Sequence, residues 1–374
     1  MSADQELTII LTLKDRASFT FRWMAYANAV NFPFKILIAD GGADETVPGS
    51  LSQKANYPNV DFEYIRYPYD RTFIEYYDKV MDALANVETR FVVLADNDDF
   101  FIVSGLNQSV EFLQSHPDYS ACRGEVGAFL VSGSEIYDAV DGVYGDHVEF
   151  VPGVYHNQSL EQDSARERLG SHFLKYAPTW YEVHRTDQLR EAFRVLRSLE
   201  ISDLYLAELL ISGFTVIAGK VKREPDPYLF RQSQTPDSGF TRKHDGFDRM
   251  LLETWSADFQ KFVEAIANAL ASADRSSADE AREFVREIYR SYIGSSMIQR
   301  LSAGEFDEAA SSDHDLKLRS RIRRVLRELY LLANELTGGR LRKTRMKFVT
   351  PVSDEEFKSI REFLAAGSTD ASVS

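Results

Sequence analysis

Residues 91–101 read FVVLADNDDFF. Four apolar residues, Phe91 to Leu94, predict a buried strand that runs without a break into Asp96, Asn97, Asp98 and Asp99. Side chains alternate faces along a strand, so Asp96 and Asp98 are expected on one side and Asn97 and Asp99 on the other. Unpaired carboxylates at the end of a core strand are costly unless water, hydrogen-bond donors or a cation receives them. A hard divalent ion with oxygen ligands, Mn²⁺ or Mg²⁺, meets that need. An acidic turn whose Asp side chains cap the following helix meets it too, so the motif alone leaves both readings open.

The flanking sequence extends the pattern. Upstream, LTIILTL at 7–13 predicts a core strand followed by Lys14, Asp15 and Arg16, and Phe19, Trp23, Ala27 and Val30 recur at helical spacing behind it. A second apolar run, Ile36 to Ala39, ends at Asp40-Gly41-Gly42-Ala43-Asp44. VDFEYI at 60–65 alternates like a third strand, Arg71 lies in the loop beyond it, and 73–84 reads as a helix leading to residue 91. Strands alternating with helices predict an α/β fold with a parallel sheet. Ligands in such sheets bind outside the carboxyl ends of the strands. Asp40, Asp96 and Asp98 occupy those ends.

These stretches in this order, LTIILTLKDR, KILIADGGADE and FVVLADNDDFF, are similar to the nucleotide-sugar-binding half of the inverting family 2 glycosyltransferases of the GT-A fold. The resemblance is clear over about 7–131 and looser over 171–220. It implies a Rossmann-like, mostly parallel sheet flanked by helices. By the same resemblance Asp40 contacts the base of the nucleotide sugar, Asp96 contacts its ribose, Asp98 holds the metal against the diphosphate, and Arg71 supplies a basic group near the nucleotide. The family's DGS-x-D appears here as Asp40-Gly41-Gly42-Ala43-Asp44.

In the following half, 106–114 reads as a helix and 119–131 as a strand, whereas 132–170 has no clear periodicity and reads as a long loop containing His147 and His156. TWYEVH at 179–184 predicts a strand and, by resemblance, the acceptor side, with Trp180 and Tyr181 as candidates to stack on a sugar ring. Asp203 opens a helix that Gly213 is expected to end before a strand at 214–218. It matches the family's catalytic base, although Ser202 stands where the family has Glu. Helix capping is the plain alternative for Asp203, and Glu208, one turn on, is the second candidate. Two prolines in 222–234 suggest an exit loop and edge strand. By the same resemblance His244 is a candidate further metal contact, with a solvated loop histidine as the alternative.

From Phe247 onward the pattern is helical, giving an expected division into a glycosyltransferase domain at 1–243 (nucleotide half 1–131, acceptor half 132–243), a helical region at 244–366 and a disordered tail at 367–374. Eleven Lys or Arg against two Glu in 317–347 give that segment +9 in a chain of −15. With its apolar stripe, it reads either as docked on its own acidic body or as an interfacial helix at an anionic membrane holding a lipid-linked acceptor.

The net charge of −15 argues against nucleic acid as a general partner. The single cysteine, Cys122, excludes an internal disulfide and suits a reducing compartment. Neither the N-terminus nor any later segment reads as a signal peptide or a membrane span, which points to the cytoplasm. The leading expectation is a metal-dependent glycosyltransferase acting on a glycan or lipid-linked acceptor. A nucleotidyltransferase is disfavoured because 13–17, LKDRA, lacks a glycine-rich signature. A noncatalytic carbohydrate-binding scaffold on the same fold is the remaining alternative.

Overall fold

All seven residues of β1 (Leu7–Leu13) are buried, which a strand achieves when both faces of its sheet are covered. Alternation then divides its side chains. Leu7, Ile9, Leu11 and Leu13 pack with Trp23, Met24, Leu106 and Val110 on one face, and Ile10 packs with Val80, Leu84 and Phe193 on the other. The structure is a computed structural model and describes residues 6–132, 142–145, 147–151, 153–233, 249–250, 252–303 and 354–371.

Around β1 the expected parallel unit forms. Helix α1 (Ala17–Ala29) connects β1 to β2 (Lys35–Asp40), and α2 (Thr46–Leu51) precedes β3 (Phe62–Arg66). A capping box starts α3 (Phe73–Ala85), with Thr72 accepting from Glu75 N and Glu75 reaching back to Thr72 N. The chain then enters β4 (Phe91–Asp96). The order β3-β2-β1-β4 is parallel throughout, with Leu13 opposite Asp40 and Thr12 opposite Asp96. Carboxylate-bearing strand ends therefore flank the end of β1 on both sides.

Beyond β4 the sheet becomes mixed. The chain continues through β5 (Phe100–Phe101), α4 (Val103–Ser115), β6 (Tyr119–Ser132), β7 (His147–Val151), α5 (Ala165–Leu174), β8 (Val183–Arg185), α6 (Thr186–Leu199), α7 (Leu204–Ala218) and β9 (Lys220–Gln232). Among the described residues the sheet order is β3-β2-β1-β4-β8-β6-β9-β5, with β7 added on β6. Helices α8 (Trp255–Asp274) and α9 (Ala278–Ala303) pack on α5 and α7, and their Phe262, Ile266, Ala281 and Val285 belong to the same core as Leu169, Leu206 and Leu210. The last helix, α10 (Asp354–Ala371), lays Phe357, Ile360 and Leu364 against Phe129, Phe150 and Phe230.

Several expectations need correction. Gly213 does not end α7, which runs through it to Ala218, so no strand occupies 214–218. A Cβ at Gly213 would stand 2.7 Å from Ile266 Cδ1, so the glycine serves the close approach of α8. The segment expected as an exit loop and edge strand is β9, paired with both β6 and β5 inside the sheet order. Its prolines fall where the β6 register is irregular, with Pro227 opposite Glu125, so the missing donor falls at a break in the ladder. Residues 179–182 form a turn and only Val183–Arg185 is strand. The turn is closed by Glu182 N donating to Thr179 O at 3.0 Å. Within 132–170, β7 and α5 are ordered elements. Residues 367–371 continue α10 instead of joining a disordered tail. The basic segment 317–347 lies outside the described residues. Among the described residues no helix is long and apolar enough to cross a membrane.

His172 on α5 has both ring nitrogens buried without a hydrogen-bond partner, and burial, reinforced by Arg223, holds its imidazole down at about 3. The unfolded chain, with an ordinary histidine near 6.5, binds this proton first as pH falls. The neutral ring's contribution is thus fully present above pH 6.5 and is lost progressively toward pH 3. At pH 5 the loss is about 2 kcal/mol relative to pH 7.5. His172→Phe is expected to flatten the acid limb of urea-unfolding stability over pH 5–6.5. An unchanged limb would show that other groups control it.

Candidate active site

At the end of β4 the chain leaves the sheet ladder and turns, with Asp99 N directed at Asp96 O at 3.5 Å. The turn overrides strand alternation. Asp99 joins Asp96 and Asp98, their carboxylate oxygens all within 4.8 Å of one another, which corrects its expected place on the face of Asn97. Asn97 turns away, donating from Nδ2 to Thr20 Oγ1 at 3.0 Å on α1.

Two guanidinium groups meet these carboxylates. Arg231, near the end of β9, donates from Nε to Asp99 Oδ2 at 2.8 Å and from its two Nη atoms to Tyr155 and Tyr181 hydroxyls at 2.6 and 3.0 Å. Its Nη2 also lies 3.5 Å from Asp96 Oδ2. Tyr181 OH donates to that same oxygen at 2.5 Å, and Gln232 N donates to Asp99 Oδ1 at 3.0 Å. From the other side Arg16 donates to Asp98 Oδ2 and Asn97 Oδ1, both at 2.8 Å. The fully buried Arg22 holds the turn itself through Asp98 O at 2.9 Å. Burial raises the Asp96 carboxyl, with repulsion from Asp98 adding to it. Burial likewise pushes Asp99 up to about 7, against the opposing pull of Arg231. Three hard oxygen donors this close suit Mg²⁺ or Mn²⁺, and a carboxylate that already accepts N–H bonds retains lone pairs for a metal.

On the other flank of β1, Asp40 is 2% exposed and fully engaged. Its Oδ2 accepts from Arg66 at 2.5 Å and Tyr64 OH at 2.7 Å, and its Oδ1 accepts from Gly42 N at 2.8 Å. Arg71 is exposed in the loop beyond β3, and Arg66 is the basic residue that meets Asp40. The β1–α1 loop lies tight against this edge. Asp15 and Arg16 both adopt left-handed backbone, at φ 56° and 52°, a conformation that costs a non-glycine residue on the order of 1 kcal/mol or more. A Cβ at Gly42 would stand 2.7 Å from Asp15 N, so only glycine admits the loop there.

Beneath the three loops lies a buried ion pair. Lys79 of α3 donates to Asp70 and, at 2.7 Å, to Leu13 O at the end of β1. Asp70 N in turn donates to Gly41 O at 3.0 Å, so one lysine ties together the loops after β1, β2 and β3. Burial pushes the Asp70 carboxyl up and the Lys79 ammonium down, so desolvation outweighs the pair's attraction. Lys79→Met strands the carboxylate and is expected to cost about 3–5 kcal/mol. Urea unfolding should show a smaller loss for Lys79→Met combined with Asp70→Asn than for Lys79→Met alone. An equal or larger loss for the double variant would refute the stranded-charge account.

Asp203 begins α7. Its Oδ1 caps the helix through Leu206 N at 2.9 Å, and its Oδ2 pairs with Arg249 at 2.9 Å. Asp258 of α8 fixes this start by accepting from Ser202 N and Oγ, each at 2.9 Å. Glu208 accepts from Tyr176 OH at 2.6 Å. Burial raises its carboxyl, opposed by that hydrogen bond and by the field of Arg231. On α3, burial raises the hydroxyls of Tyr76 and Tyr77, with the charge of Asp96 adding at Tyr76 and those of Asp203 and Glu208 adding at Tyr77. Trp180 is only 8% exposed, stacked on Tyr76 at 6.4 Å and edge-on to Phe193 at 5.6 Å. His156 is exposed. His244 lies outside the described residues.

The structure thus brings Asp96, Asp98 and Tyr181 together, with Asp40 across β1, while Asp203 and Glu208 on α7 bond Arg249 and Tyr176. Asp99, Arg16 and Arg231 are the members that sequence reasoning missed. Asp99 was in the motif, and only the turn after Asp96 reveals its direction. Arg231 carries no local signal.

No protein-family model matches this sequence, and no curated protein matches it. Solved structures do resemble it. S. aureus TarS residues 1–349 in complex with UDP-GlcNAc is 13% identical, over 76% of this chain and 71% of that one, at a TM-score of 0.48. For the longer S. aureus TarS structure the identity is 14%, over 76% of this chain, at a TM-score of 0.45, and this chain spans only 43% of that one. The mannosyltransferase PcManGT from Pyrobaculum calidifontis in complex with GDP-Man and Mn²⁺ is 12% identical, over 86% of this chain and 80% of that one, at a TM-score of 0.40. Identities and TM-scores this low assign no function.

Proposed function

We propose that this chain is a metal-dependent, inverting glycosyltransferase that moves a sugar from a nucleoside-diphosphate donor, UDP favoured, to a hydroxyl of a glycan or lipid-linked acceptor. The observation that carries the reading is the trio Asp96, Asp98 and Asp99 at the carboxyl edge of a parallel sheet, one strand away from Asp40. That edge is where α/β sheets bind nucleotides, and an acidic trio can receive a diphosphate only through a cation.

In this reading Asp40 orients the base and Asp96, steadied by Tyr181, orients the ribose. Asp98 is the principal ligand for Mn²⁺ or Mg²⁺. When bound, that ion neutralises charge developing on the leaving diphosphate. Asp203 takes the proton of the acceptor hydroxyl as its oxygen attacks the anomeric carbon from the face opposite the leaving group. One displacement inverts the configuration. Tyr181 borders the acceptor side, with Trp180 packed behind it against Tyr76 and Phe193.

The test is a donor screen that measures nucleoside diphosphate release with Mn²⁺ or Mg²⁺ and with EDTA. Release from one nucleotide sugar, suppressed by EDTA, is the expected result. Turnover of a free nucleoside triphosphate would instead favour a nucleotidyltransferase, and metal-independent binding without release would favour a scaffold.

A further inference from the structure

Placement distinguishes the two arginines that pair with the acidic trio. Arg231 is held within the sheet by Asp99, Tyr155 and Tyr181, and its guanidinium lies 4.3 Å from the centre of the Tyr181 ring. Arg16 is placed differently. It sits on the loop between β1 and α1, immediately before the first turn of α1, with a side chain 20% exposed. Its guanidinium reaches Asp98 and Asn97 from outside the sheet. When Arg16 withdraws, Arg22 and Arg231 keep their places on the turn and on Asp99, and the carboxylate it leaves is that of Asp98.

On the reading given above, we infer that Arg16 is an exchangeable cation: it holds Asp98 while no metal is bound, and gives that carboxylate up to the metal to bind the diphosphate oxygens itself. The chemistry suits the exchange. A guanidinium is a planar fork that pairs equally well with a carboxylate or with phosphate oxygens, and the start of a helix favours an anion beside it. The backbone of the turn need not move, because Arg22 anchors Asp98 O independently of Arg16. Metal and nucleotide then favour each other's binding beyond their direct contact, since each draws Arg16 toward the same rearranged state.

The experiment compares wild type, Arg16→Gln and Arg16→Lys in two titrations: Mn²⁺ alone, followed by electron paramagnetic resonance, and UDP at saturating Mn²⁺, followed by calorimetry. Losing the competing ion pair should tighten Mn²⁺ alone by roughly two- to fivefold in Arg16→Gln. The same variant should bind UDP more weakly, while Arg16→Lys, which keeps charge without the fork, should fall between it and wild type in both titrations. Mn²⁺ binding that is unchanged or weaker in Arg16→Gln, or UDP binding that is unchanged, overturns the exchange. Should Arg16→Gln not fold, Arg16→Lys alone decides, and wild-type behaviour in both titrations overturns it. A wild-type protein that takes up neither Mn²⁺ nor UDP overturns the proposed function itself.

Discussion

Asp98→Ala is expected to abolish metal-dependent nucleotide binding while leaving the fold in place. Losing even an outer-sphere partner of a metal ligand typically weakens affinity by about 10- to 100-fold, and Asp98 is the carboxylate assigned to the ion itself. The fold should survive because the turn is held by other groups: Arg22 on Asp98 O, Asn97 on Thr20, and Arg231 and Gln232 N on Asp99. The pair lost with Arg16 is partly exposed and is worth about 1 kcal/mol or less. Calorimetry with UDP and Mn²⁺, beside a thermal melt, checks both halves. Retained Mn²⁺-dependent binding in a folded variant would remove Asp98 from the metal site.

Asp203→Asn is expected to keep donor affinity and lose transfer by about 10²- to 10⁴-fold, the usual contribution of a general base. Asparagine caps a helix as well as aspartate, so the bond to Leu206 N persists and only the basic oxygen, now paired with Arg249, is removed. Glu208→Gln is the necessary companion, because Glu208 follows Asp203 along the same helix and burial raises its carboxyl. Near-normal turnover in Asp203→Asn together with a collapse in Glu208→Gln would move the base to Glu208.

The parallel half of the fold was legible because its strands are continuous apolar runs ending in polar loops. The run at 7–13 could hardly be anything but a core strand, and Asp40 and Asp96 follow from where such runs stop. What failed depended on contacts distant in sequence. Gly213 looked like a helix stop because glycine commonly is one, yet the side chain it makes room for, Ile266, belongs to α8. Two prolines argued against an interior strand, but the matching irregularity lies in β6, about a hundred residues earlier. Asp99 escaped notice because alternation applies only while the strand lasts. Arg231 lies 132 residues from its Asp99 partner, so its role depends on the sheet order β6-β9-β5, which no local pattern specifies.

The shared core of α5, α7, α8 and α9 also sets an order of events during synthesis. When α7 emerges from the ribosome, its apolar side is complete but its cover is not yet made, and at roughly 5–20 residues per second the wait for α8 and α9 lasts several seconds. Over that interval Leu169, Leu206, Leu210 and the notch at Gly213 form a sticky surface on a nascent chain whose acidic edge is already translated. Helices α8 and α9 thus act on the helices made before them as a built-in chaperone would, closing over α5 and α7 before another chain can.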